Sequence, residues 1–334
     1  MIANPFNHAA FQMTELTKAL NLMPFSYGRL EELNVFPLKP VRFRQVMVEE
    51  KEGVLSLIPT QKVGMEGAYL KRVKRRMRSL LIPHIPYEDV ILASEVEGVR
   101  SFGSDNALEG VAHVITEHLE MMKTRHAITL EHLRMGALKG VVLDAHGEEL
   151  IDLYKTFEIK PKTLSFELEN PETSVQKKCL DLKRHMEDHL KGDVMMEIRV
   201  LVGEGFFDAL TTHPSVKEAY QRYQDGAILR GDLRKGFPLA GVTFEEYRAR
   251  VTGEDGKLKP FIKENEGHAF PLGTKDTFCT YVAPADFNET VNTLGQLLYA
   301  KQEPRRFERG TDVHTQSNPL PVCHRPGVLV KVTI

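Results

Sequence analysis

The stretch DNALEGVAHVITEHLEMMKTRHAITLEHLRMGALK, residues 105–139, decides how the rest of the chain is read. Its apolar residues Leu108, Val111, Ala112, Ile115, Leu119, Met122, Ala127, Leu130, Leu133 and Ala137 advance mostly in steps of three and four. A 3.6-residue period gathers them on one stripe, so the spacing predicts a helix with one dry face. Ser104, Asp105 and Asn106 are N-cap candidates, Glu109 is placed to answer Asn106 in a capping box, and Gly140 stands where a left-handed C-cap is wanted. At 1.5 Å per residue the helix runs about 50 Å, which only a stretched domain needs.

Length alone fits a helical bundle or a coiled coil equally well. Against both, the stripe drifts at 3.6 instead of holding heptads, and no second stretch of similar length has the pattern. Before the spine, Leu16, Ala19, Leu20 and Met23 mark a short amphipathic helix with Thr14 as its cap, stopped by Pro24. Asn34 to Pro40 is extended around two prolines, and so short a segment needs another surface to bury Phe25, Phe36 and Leu38. Val41 to Val48 and Val54 to Ile58 read as strands, and Val90 to Val99 as another.

After the spine, Val141–Leu143 and Leu150–Tyr154 flank Ala145-His146-Gly147 as a β-hairpin whose second strand continues toward Ile159. Glu172-Thr173-Ser174 opens a helix to about Leu190. Val194 to Val202 is a strand delivered by Gly203-Glu204-Gly205 into helical Phe206 to Leu210, with a second helix from His213-Pro214 to about Tyr223. Val242 to Val251 and Thr277 to Val282 are strands, Thr252 to Glu266 is a surface loop or hairpin tip, and short extended pieces close the chain.

The 334 residues divide into two domains on size grounds, and a net charge of -2 leaves any electrostatic preference local. Three cysteines, Cys179, Cys279 and Cys323, are odd in number and lack Cys-x-x-Cys spacing, which fits reduced thiols and no structural zinc. Met1 to Ala10 has neither a basic lead nor a long apolar run, so neither a secretory signal nor a membrane span is expected.

One cluster breaks the even charge. Lys71, Arg72, Lys74, Arg75, Arg76 and Arg78 crowd into eight positions, interleaved with Val73 and Met77. Three readings stand: a nucleic-acid patch, a solvated or partner-facing loop, and an extended arm whose cations pair with acids of a neighbouring subunit.

Catalytic patterns are thin. Gly203-x-Gly205 between strand and helix begins a dinucleotide fingerprint, but Asp208 stands where the third small residue belongs and would repel phosphate, and Asp225, twenty residues on, follows a helix. His113 and His118, and His126 and His132, are spaced away from each other on a helix and read as exposed or partner-facing. No Gly-x-Ser-x-Gly elbow or P-loop occurs, and Cys323-His324 are adjacent in sequence, a poor nucleophile and base pair.

The C-terminal third carries a resemblance. Tyr281-Val282-Ala283-Pro284-Ala285-Asp286-Phe287, Val291-Asn292-Thr293-x-Gly295, Leu298-Tyr299-Ala300-Lys301, Gln316-Ser317-Asn318-Pro319-Leu320 and Arg325-Pro326 follow one another in order. With Leu201 to Leu210 and His213-Pro214-x-Val216, they resemble the major capsid protein E family, the lambda-type major head proteins of tailed bacteriophages. The resemblance implies an α+β tailed-phage coat fold: an N-terminal arm at 1–40, an extended E-loop hairpin at 41–86, and a peripheral domain at 87–169 with the spine at 105–139. An axial domain at 170–290 and a return to the peripheral domain at 291–334 complete it.

It further implies a structural subunit that self-assembles through hexamers and pentamers into an icosahedral shell around double-stranded DNA. No catalytic residue, cofactor or metal is implied, and no membrane partner. Scaffolding, portal and decoration proteins are the expected partners, and the virion, assembled in the bacterial host cytoplasm, is the expected location. The basic cluster Lys71 to Arg78 then lies on the E-loop, answered by carboxylates of an adjacent subunit. The spine's polar residues Glu117, Glu120, Arg125 and Glu131 are left for the shell's inner surface or a neighbour, while its stripe meets a sheet made partly by Val90–Val99 and Val141–Tyr154. A nucleotide-binding cytosolic enzyme built on Val194 to Leu210 and a cellular nanocompartment shell of the same fold are the alternatives.

Overall fold

A computed structural model describes residues 12–22, 28–51, 75–96, 107–222, 232–253, 256 and 258–334. In chain order the elements begin with α1 (Met13–Leu22), α2 (Arg29–Glu32), β1 (Leu38–Pro40), β2 (Gln45–Lys51), β3 (Arg75–Leu81), β4 (Ile85–Leu92), α3 (Ala93–Val96) and α4 (Ala107–Lys139). There follow β5 (Val141–Leu143), β6 (Glu149–Asp152), α5 (Leu153–Phe157), β7 (Lys162–Ser165), α6 (Val175–His189), β8 (Glu197–Val202), α7 (Glu204–Thr212) and α8 (Pro214–Arg222). The last are β9 (Phe237–Leu239), β10 (Val242–Glu246), β11 (Arg250–Thr252), β12 (Leu258–Pro260), β13 (Glu266–Leu272), β14 (Phe278–Val282), β15 (Tyr299–Pro304), β16 (Gly310–Ser317), β17 (Pro319–Cys323) and β18 (Val330–Thr333). The chain divides into two compact units: unit 1 is 1–46, 80–132 and 280–321, and unit 2 is 47–79, 133–279 and 322–334.

The spine is α4, and it ends as its sequence demands: Gly140 takes φ +88, the left-handed C-cap conformation, and donates its N–H to Ala137 O at 3.2 Å. The proposed caps Ser104, Asp105 and Asn106 lie outside the described residues, as do Met23, Pro24, Phe25, Val54–Ile58 and Asp225. The periodic stripe is buried at Ile115, Leu119, Met122, Ala127, Leu130, Leu133 and Ala137. Toward its C-terminus the helix also buries Met135, Leu138, Glu131 and Arg134, so no polar face survives there. Glu131 therefore does not join Glu117, Glu120 and Arg125 on the exposed side: it is 1% exposed, and its Oε1 accepts the N–H of Leu30 at 3.1 Å.

In unit 1, β16 is the middle strand of an antiparallel sheet between β15 and β4, in register from Gly310 opposite Leu92 to Ser317 opposite Ile85. Leu16 and Leu20 of α1, Ile91 of β4, Val114, Ile115, Leu119 and Met122 of the spine, and Leu298, Ala300 and Val313 form one core. Thr17 is buried in α1 in place of the expected Ala19, because its Oγ1 accepts the N–H of Ala300 at 3.1 Å, and Thr14 lies inside the helix instead of capping it. Lys123 donates to Leu20 O at 2.7 Å, which satisfies a carbonyl at the end of α1. Burial pulls the Lys123 pKa down. β1 adds in parallel to β14, Leu38 opposite Thr280.

Unit 2 is built on a six-stranded sheet of order β7-β18-β13-β8-β10-β9. Phe166, Val200, Phe206, Phe207, Leu210 and Phe244 fill its core with Val175, Leu182 and Met186 of α6. Phe166 meets Phe206 and Phe244 edge-on at 5.7 and 5.9 Å between ring centres, a geometry aromatic quadrupoles favour. The β5–β6 hairpin forms as read, Val141 opposite Asp152, but as a two-stranded sheet of its own, apart from the sheet containing β4. Its second strand stops at Asp152, whose carboxylate caps α5 through Lys155 N at 3.0 Å. The strand expected at Val90–Val99 ends at Leu92 and gives way to α3, and the one expected over Val242–Val251 is two, β10 and β11.

Candidate inter-subunit surface

Among the described residues β2 and β3 pair only with each other, as a two-stranded sheet. The alternation of β-structure sorts their side chains: Val46, Val48 and Leu80 are buried, while Met47, Met77 and Leu81 are 52%, 65% and 73% exposed. A lone two-stranded hairpin is marginal in water, and large apolar side chains standing outward on one are the mark of a surface meant to be covered. The sequence signal is the alternation in Val46-Met47-Val48 and Met77-Arg78, in which each methionine has neighbours on the opposite face.

Of the six basic residues, Lys71, Arg72 and Lys74 lie outside the described residues, and Arg75 and Arg76 begin the backbone of β3. Arg78 is placed fully. Its Nη1 lies 3.5 Å from Glu158 Oε1, and its guanidinium sits over the Phe157 ring at 5.6 Å from the centroid. Arg78 thus has a counter-charge in its own chain and fastens the β3 end of the hairpin to the end of α5.

The residues that carry the resemblance have structural tasks. Gln316, Ser317 and Asn318 are nearly fully buried where β16 turns into β17. Asn318 Nδ2 donates to Pro284 O at 2.6 Å, its Oδ1 lies 3.1 Å from His84 Nδ1, and Ser317 Oγ donates to Leu297 O at 2.9 Å. Arg325 Nη1 meets Asp193 Oδ2 at 2.8 Å. Burial alone would raise the Asp193 pKa, but the Thr277 hydroxyl and the N–H groups of Asp276, Lys275 and Val194 outweigh it and hold the carboxyl at about 2.

The dinucleotide reading fails at the turn itself. Gly203 N donates to Glu266 O and Phe206 N to Glu264 O, both at 2.9 Å, so the start of α7 is capped by the chain's own backbone. A Cβ on Gly203 would lie 2.1 Å from Lys263 O. The glycine is there for this packing, and a pyrophosphate has no room to approach.

The histidines also differ from expectation. His113 is exposed, but His118 Nδ1 lies 2.7 Å from Asp89 Oδ2, and His126 is buried with Nε2 3.0 Å from Thr315 Oγ1. Burial, with a smaller contribution from His314, lowers the His126 pKa to about 4. The i, i+4 pair His185 and His189 on α6 is turned to backbone carbonyls at Gly327 O and His185 O. Among the described residues no three His, Cys, Asp or Glu side chains are grouped to hold a metal ion, and no helix is long and apolar enough to cross a membrane.

Residues 12–334 match the family described as phage major capsid protein E. The chain is 31% identical to the major capsid protein of Salmonella phage Felix O1 (isolate Felix O1-VT1) and 29% identical to that of Pseudomonas phage KPP10, covering 96% of both chains in each case. Its fold is similar to that of a prophage protein from Escherichia coli CFT073, with a TM-score of 0.63 at 15% identity over 97% of this chain and 99% of the other. It is also similar to a subunit of the cyanophage P-SCSP1u capsid, with a TM-score of 0.51 at 10% identity over 93% and 89%. The chain belongs to the phage major capsid protein E family: it is a structural shell subunit of a tailed-phage virion, not an enzyme.

Proposed function

We propose that this subunit assembles through hexamers and pentamers into an icosahedral shell that encloses double-stranded DNA, and that the β2–β3 hairpin is the extension by which each copy grips the next. What supports the second part is that, among the described residues, the two strands pair only with each other, with Met47, Met77 and Leu81 turned outward. A shell is held by many repeated contacts, and an extended hairpin laid on a neighbour buries area that a compact subunit cannot offer.

In this reading residues 1–40 are the arm, 41–86 the E-loop, 87–169 the peripheral domain, 170–290 the axial domain and 291–334 the return. Lys71, Arg72, Lys74, Arg75 and Arg76 face carboxylates of an adjacent copy, and Arg78 anchors the hairpin through Glu158. Scaffolding, portal and decoration proteins are its partners, and assembly takes place in the host cytoplasm.

The double variant Arg75→Glu/Arg76→Glu tests the role of the hairpin. Shells seen by negative-stain microscopy are lost while the circular dichroism of the subunit stays unchanged. Shells of normal yield from the double variant would refute this role.

A further inference from the structure

We propose that Cys279 is a reactive thiol, activated by His324 as its base and oxidised selectively by a small neutral hydroperoxide. Both residues lie in unit 2, and nothing in the pairing depends on contacts between copies.

Adjacency in sequence pairs His324 with Cys323, but the fold pairs it with Cys279. β14 and β17 are neighbours in one sheet, and just beyond β17 His324 N donates to Thr277 O at 2.8 Å. Cys279 is two residues along from Thr277, so its side chain stands on the same face as that of His324 and diagonal to it. Its Sγ lies 3.6 Å from His324 Nε2. On the other side of the ring, Nδ1 lies 2.9 Å from Asp276 O. A carbonyl only accepts, so the neutral ring carries its proton on Nδ1 and presents the Nε2 lone pair to the thiol. A nucleophile, a base within reach of it and a third group orienting that base form the arrangement that activates a weak nucleophile.

The Asp193 clamp holds this arrangement still. Its carboxylate accepts from the Thr277 hydroxyl at 2.8 Å, from Asp276 N at 3.1 Å and from Arg325 Nη1 at 2.8 Å, which ties the strand of the thiol and the strand of the base to one group.

The other two thiols supply the contrast. Cys179 and Cys323 are fully buried, and burial pushes the Cys179 thiol up to about 12 and raises that of Cys323 as well. Cys279 is 6% exposed, with the half-buried His324 against it, an opening that suits a molecule as small as hydrogen peroxide. In the reaction the thiol proton passes to His324 Nε2 while the sulfur attacks one peroxide oxygen. The S–O bond forms, the O–O bond breaks, and the departing oxygen takes the proton from His324 and leaves as water. Sulfur is oxidised by two electrons to a sulfenic acid, the peroxide is reduced, and the imidazole ends neutral.

Residue-resolved mass spectrometry of the full chain after brief exposure to hydrogen peroxide at neutral pH, with sulfenic acid trapped by dimedone, tests the assignment. Cys279 of the folded protein is expected to oxidise about tenfold faster than Cys179 or Cys323, and about tenfold faster than Cys279 of the urea-unfolded chain, where every thiol is open to solvent. In His324→Asn its rate should fall about tenfold, with Cys179 and Cys323 staying slow as the report of an intact fold. A folded-state rate at Cys279 no higher than in urea, or a rate unchanged in folded His324→Asn, would overturn the proposal. If that variant unfolds, seen as faster oxidation of Cys179 and Cys323, the comparison of folded with urea-unfolded wild-type chain decides alone.

Discussion

Unit 2 and unit 1 are stabilised by different means within one chain. Unit 2 packs phenylalanines and aliphatic residues between a six-stranded sheet and its helices, and removing any of them costs apolar contact. Unit 1 gathers segments from three parts of the sequence onto a small apolar core and pins them with buried polar groups: Lys123 to Leu20 O, Glu131 to Leu30 N, His126 to Thr315, and Asn318 to Pro284 O. Polar pins are directional, so they define a unique arrangement where area alone does not. They also leave costly orphans when one partner is lost.

The strongest challenge to that contrast is Phe206→Ala. Phe206 is fully buried between Phe166 and Phe244, and its truncation should destabilise unit 2 by about 3 to 5 kcal/mol. Hydrogen exchange resolved by peptide should show the loss in β8, β10 and α7, with unit 1 protected as before. Equal loss in both units would mean that they unfold as one and that the distinction has no energetic content.

Acid should separate them next. His126 stays neutral in the fold down to about pH 4, whereas an unfolded histidine takes its proton near 6.5. Stability is therefore complete above pH 6.5 and falls as the pH drops toward 4, by about 3 kcal/mol in all. His126→Leu should flatten that slope in a pH series of denaturant melts. Unit 2 buries His213 and His268, and burial lowers the His268 pKa too, against the opposing hydrogen bond to Glu266. The Asp193 clamp has the later window: its contribution is full above the ordinary aspartate range near pH 3.8 and is lost only as pH falls toward about 2. The His126 contribution should thus be lost before that of the Asp193 clamp on acidification.

A smaller effect is expected at Asn318→Ala, which leaves Pro284 O without its donor: about 2 kcal/mol, localised to the β16–β17 turn by hydrogen exchange. The smallest is Asp152→Ala, the loss of one N-cap on α5, about 1 kcal/mol in a thermal melt. A cap worth more than the Asn318 pin would invert the ranking on which the comparison rests.

These two regions also differ in how much the sequence reveals. Unit 2 is written in local signals: β8, the Gly203 turn, α7 and the His213-Pro214 break each follow from neighbouring residues, and the spine's length and its end at Gly140 are equally local. The pins of unit 1 are not. Periodicity counts apolar positions, so Glu131 and His126 read as surface groups, because Leu30 N lies 101 positions from Glu131 and Thr315 lies 189 positions from His126.

The end of β6 is another case, because Asp152 before Leu-Tyr-Lys-Thr-Phe is a helix start that the apolar run Leu150 to Tyr154 disguises. On the surface, the basic cluster was legible as charge, but the outward methionines of β2 and β3 needed the burial of Val46, Val48 and Leu80 to become visible.

The central claim, that this chain builds a shell, is tested most directly by electron microscopy of the purified full-length protein across salt and protein concentration. Closed shells or tubes of regular wall thickness are the predicted result. A folded chain that remains monomeric under every condition would contradict it.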